Sequence, residues 1–167
     1  LIAGADALLL IGDGRATEAG ICFGVYAVFY ALYAWFYKKP MIGYASTSAI
    51  ALAVFFGLRA AEQGQWLLPL IAVAVIYYVA GYFLRRADRA KGWDEMLLYS
   101  GLGLGTLVAL AAPSQHGGLE KALPIAIAAT FYAAEAFARR NVWLGFPANI
   151  LYLIAYFVIL SELKVDE

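Results

Sequence analysis

Six stretches of the chain, 19–37, 41–58, 66–84, 93–112, 122–138 and 142–160, are mainly apolar. Each is close to the ~20 residues that an α-helix needs to cross a bilayer. All are apolar around most of their circumference, which marks membrane or deeply buried helices rather than amphipathic surface ones. The ten-residue alternation of a membrane β-barrel does not occur in them. A shorter run, 1–11, reads as the end of a further helix. With no basic segment ahead of it, it is expected to be a helix end rather than a signal peptide.

Composition decides where this apolar surface goes. Hydrophobic residues make up 64% of the 167 and charged ones 14%, against about 45–50% and about 25% in ordinary soluble domains. One soluble core of this size cannot hide that excess, so the solvent for much of the surface is lipid. Lys+Arg 12 balance Asp+Glu 12. Intrinsic disorder, a disulfide scaffold and a basic nucleic-acid binder are excluded. The expected fold is an all-α integral membrane protein of six transmembrane helices plus a partial N-terminal one.

The connectors set an orientation. Lys38 and Lys39, then Arg85, Arg86, Arg89 and Lys91, then Arg139 and Arg140 fall in three short turns, which hold eight of the twelve basic residues. The other connectors carry Asp13, Glu18, Glu62, Glu120 and Glu162. The positive-inside rule puts the basic turns in the cytoplasm of a bacterial-type inner or plasma membrane. Pro69 and Pro124 fall in the first turns of their helices, where a missing N–H costs little. Trp66, Trp93 and Trp143 stand at span ends, at headgroup level.

The segment Tyr77-Tyr78-Val79-Ala80-Gly81-Tyr82-Phe83-Leu84-Arg85-Arg86 aligns without a gap on Phe131-Tyr132-Ala133-Ala134-Glu135-Ala136-Phe137-Ala138-Arg139-Arg140. Phe29-Tyr30-Ala31 and Gly43-Tyr44 keep register with Phe131-Tyr132-Ala133 and Gly145-Phe146. The expected organisation is therefore three parallel hairpin repeats, 17–65, 66–118 and 119–167. They follow a remnant, 1–16, of a preceding repeat in a longer repeat protein. Each hairpin satisfies its own backbone in lipid. Gly101, Gly103 and Gly105 suit close helix packing or, alternatively, a glycine-lined path.

Few side chains inside the spans could carry chemistry. Glu135 is the one carboxylate clearly within a span, which makes it a proton- or cation-site candidate. Arg139 stands four residues on, in the favourable order for a helical ion pair, which is the structural alternative. Ser46, Thr47, Ser48 and Asn149 lie early in second helices. They either hydrogen-bond across helices or line a polar cavity. Tyr26, Tyr30, Tyr33 and Tyr37 form one stripe. That stripe packs on a helix or on lipid, or receives a quinone, carotenoid or other long apolar cofactor.

Cys22 is alone and makes no internal disulfide; His116 is alone in a loop, which leaves no histidine within a span for haem or chlorophyll. Catalytic triads, metal motifs and phosphate loops have no match, and no metal is expected. The expected function is a non-catalytic membrane scaffold or accessory subunit. Its partners would be membrane lipids and other membrane subunits or further repeats of the same chain, not nucleic acid. The alternative is a small-molecule or ion transporter with a site at a repeat interface near Glu135 and Asn149.

Overall fold

The computed structural model describes residues 15–62, 65–87, 90–114 and 119–163. The partial helix expected over 1–11 lies outside them, as do Asp13, Arg89 and His116. Six α-helices are described: α1 (Ala16–Tyr37), α2 (Pro40–Ala60), α3 (Leu67–Arg86), α4 (Trp93–Ala111), α5 (Ala122–Arg139) and α6 (Gly145–Leu163). Short 3-10 turns at Ala112–Ser114, Leu119–Lys121 and Val142–Leu144 complete the pattern.

Five of the six helices are long and apolar enough to cross a membrane, against the six spans expected. The difference is α5. It is the shortest, with 18 residues, it is alanine-rich, and it carries both Glu135 and Arg139. Alanine adds little to apolar transfer, and two charged residues offset much of what Ile and Phe supply.

Local rules explain the ends of the elements. Pro40 opens α2 at its first position, where no N–H is needed. Pro69 and Pro124 are each the third residue of their helix, as their spacing predicts. Glu18 lies in the first turn of α1 and pairs with Arg15 at 3.3 Å, the favourable sign for that end of the dipole.

Two turns close in the same way. The Lys38 N–H donates to Trp35 O and the Lys39 N–H to Ala34 O; the Arg140 N–H donates to Phe137 O and the Asn141 N–H to Ala136 O. This is the Schellman pattern, with Lys38 (φ 51°) and Arg140 (φ 50°) in the left-handed region usually given to glycine. The turn between α3 and α4 is different. It has Ala90 at φ 58° and Gly92 at φ 89°.

The contacts divide the chain into two compact units, the first ending at Ser100 and the second beginning at Gly101. In the first unit, α1 packs along α2. The buried face of α1 is a row of small residues, Ala19, Ala27 and Ala34. Phe23 stacks on Phe56 of α2 with ring centroids 5.6 Å apart. Small residues on the contact face let helix backbones approach where water gives no hydrophobic drive. At Gly81 of α3 the approach is tightest, since a Cβ there would stand 2.7 Å from Leu98 N and 2.8 Å from Asp94 O of α4. At Gly43 the near neighbour is instead the end of the flexible Met96 side chain, 2.7 Å from where a Cβ would stand. In the second unit, α5 packs along α6. Ala148, Leu151 and Ala155 are the buried positions of α6.

Candidate functional site

The polar side chains inside the first unit converge on one stretch of α2. Ser46 and Thr47 are both buried there. The Ser46 hydroxyl donates to Ala27 O of α1 at 2.8 Å. The Thr47 hydroxyl donates to Tyr44 O one turn back at 3.1 Å. It also lies 2.8 Å from the Ser100 hydroxyl of α4, so Ser100 donates to Thr47 when Thr47 donates to Tyr44 O. The Tyr77 hydroxyl of α3 donates to Thr47 O at 3.1 Å. Four helices are thus joined through two consecutive residues. Ser48, the third member of the expected set, is exposed. One residue is a 100° step around a helix, which carries its side chain off this face.

The second unit has its own cross-helix pairs. The Thr106 hydroxyl of α4 lies 2.9 Å from the Tyr132 hydroxyl of α5. The Thr130 hydroxyl of α5 lies 3.0 Å from the Tyr152 hydroxyl of α6. Lys121 pairs with Glu162 at 3.0 Å, fastening the start of α5 to the end of α6.

Glu135 is 1% exposed and accepts a hydrogen bond from Arg139 Nε at 2.6 Å. This is the helical ion pair its spacing predicts. Desolvation of a carboxylate is costly without such a partner, and the guanidinium one turn away supplies both charge and donor. Asn149, by contrast, is exposed on α6.

The tyrosine stripe of α1 is present as a ladder of rings. Tyr26 and Tyr30 are half-buried, while Tyr33 and Tyr37 are exposed. The Tyr33 and Tyr37 rings stand 4.3 Å apart and those of Tyr26 and Tyr30 6.4 Å apart. Among the glycines of α4, Gly101 and Gly105 are buried. Gly103 is exposed, and a Cβ there would meet nothing within 4 Å, so it does not share their packed face.

Sequence reasoning did not single out Tyr77, Tyr132 or Tyr152. Each sits in an apolar run with a partner on another helix, so no local spacing marks it. Among the described residues no three His, Cys, Asp or Glu side chains gather as a metal site. What the arrangement does chemically is join helices through hydroxyls, while an ion pair within α5 satisfies a buried carboxylate. No protein-family model, curated protein or solved structure matches the chain.

Proposed function

We propose that this chain is a non-catalytic membrane scaffold, an accessory subunit that packs against other membrane subunits. One observation carries the reading. The hydroxyls of Ser46, Thr47, Tyr77 and Ser100 serve as links between helices. A transport path needs polar groups that a solute can engage, whereas these engage neighbouring helices. Glu135, the side chain on which a transporter reading depends, is held by Arg139.

The proposal includes three successive hairpins, α1–α2, α3–α4 and α5–α6, with their basic turns in the cytoplasm. The like Schellman turns at Lys38 and Arg140 support the equivalence of the first and third. α5 crosses as the antiparallel partner of α6 and makes a sixth span. The Lys/Arg distribution supports the orientation.

Native mass spectrometry, after extraction from its own membrane in mild detergent, tests the role. The expected result is foreign membrane subunits in fixed ratio. A lone chain or homo-oligomer, together with solute uptake that Glu135→Gln abolishes in a folded protein, overturns it in favour of a transporter.

A further inference from the structure

We propose that the two basic turns of the first unit together hold the phosphodiester headgroup of an anionic phospholipid. The sequence places cations between aromatic residues at both turns. One reads Trp35-Phe36-Tyr37-Lys38-Lys39-Pro40-Met41, and the other runs from Arg85-Arg86 to Lys91-Gly92-Trp93. The structure sets these turns side by side. The Trp35 and Trp93 rings lie 6.3 Å apart. Pro40 lies over Gly92, so that a Cβ on Gly92 would stand 3.2 Å from Pro40 Cγ.

The charge at this end is unbalanced. Among the described residues of the two turns and the first turn of α4, five cations face two carboxylates, Asp94 and Glu95. Asp94 is already engaged, accepting from the Gly92 N–H at 2.9 Å and lying 3.8 Å from Arg85. Lys38, Lys39 and Arg86 are exposed and have no carboxylate partner among the described residues. The N-termini of α2 and α4 open at the same turns and add the positive ends of two helix dipoles.

The surroundings favour a lipid over a soluble ion. Trp35 is 72% exposed and Met41 82%, beside the cations. A headgroup held by Lys38, Lys39 and Arg86 leaves its acyl chains against this apolar surface. Basic pockets between membrane helices select anionic headgroups in this way.

The inference rests on the membrane reading of the chain but not on its accessory role. The test uses the full chain in mild detergent, offered equal amounts of phosphatidylglycerol and phosphatidylcholine, with bound lipid read by native mass spectrometry. Wild type is expected to retain phosphatidylglycerol preferentially, by roughly tenfold or more. Each basic residue near an anionic surface contributes about fivefold. The triple variant Lys38→Gln, Lys39→Gln, Arg86→Gln is therefore expected to lose the preference. Arg140→Gln, at the turn of the second unit, is expected to keep it. Molar salt should erase the preference in wild type, because screening then acts within ~3 Å. This arm decides the matter if the triple variant does not fold. Equal retention of both lipids by wild type overturns the proposal, as does a preference that survives the triple substitution or molar salt. Displacement of the lipid by inorganic phosphate overturns the lipid assignment. Absence of the lipid preference in a wild-type chain that still needs detergent for extraction removes this site and leaves the scaffold reading standing.

Discussion

Gly81 and Gly103 are the same residue type on two membrane-type helices and do opposite things. At Gly81 a methyl group would strike the backbone of α4 at Leu98 and Asp94, and backbone cannot swing aside as a side chain can. Gly81→Ala is expected to destabilise the protein by about 1–3 kcal/mol, the range for an overpacked core. Gly103→Ala meets open space and is expected to be neutral or to stabilise by up to ~1 kcal/mol, through the higher helix propensity of Ala. Denaturation of both variants in one detergent checks the contrast, and equal losses would refute it. Legibility at this scale was uneven. The spacing of Glu135 and Arg139 is local, and the ion pair follows from it. The bond of Thr47 to Ser100 is not local, and the sequence carries no mark of it. Ser48 and Asn149, expected like Ser46 and Thr47 to hydrogen-bond across helices or line a polar cavity, are exposed. A helix apolar on every side has no polar face from which to read its rotation. The inward side of α1 is marked instead by small residues, Ala19, Ala27 and Ala34.

At the level of elements, the boundaries were the most readable part, because caps and turns use short-range chemistry. Pro40, Pro69, Pro124 and the double-basic pairs all fall where local rules put them. The conformation of the turns was less readable, since neither Lys38 nor Arg140 is a residue that announces a left-handed backbone. A non-glycine residue there costs roughly 1–2 kcal/mol. Arg140→Gly is therefore expected to stabilise the α5–α6 hairpin by about 0.5–1 kcal/mol, after the greater unfolded-state freedom of glycine is subtracted. Arg140→Val should weaken it, because a β-branched side chain fits that conformation worst. Thermal unfolding of the two variants in detergent should move in opposite directions, and a shift of the same sign in both would exclude the cap as the cause. The number of spans is the element-level expectation met only in part, five helices qualifying against six expected. Apolar runs were counted as equivalent, whereas α5 is poorer in large aliphatic residues and carries the ion pair.

For the whole molecule, class was legible from composition alone, because no fold of 167 residues can bury 64% hydrophobic content away from water. Exposed Phe36, Phe137 and Trp143, at 76%, 89% and 78%, are the residue-level form of that excess. Alkaline carbonate, which strips peripheral proteins, is expected to leave this chain in the membrane pellet, and detergent to release it. Recovery in the carbonate supernatant would overturn the membrane assignment. The buried charge on α5 also bears on how the protein is made. A helix carrying Glu and Arg enters the bilayer at a penalty of a few kcal/mol, offset in part when the two ionic groups pair. The Schellman turn at Arg140 and the packing of α5 along α6 couple the fates of these helices. If α5 is the sixth span proposed above, it is expected to enter lipid only together with its more apolar partner α6.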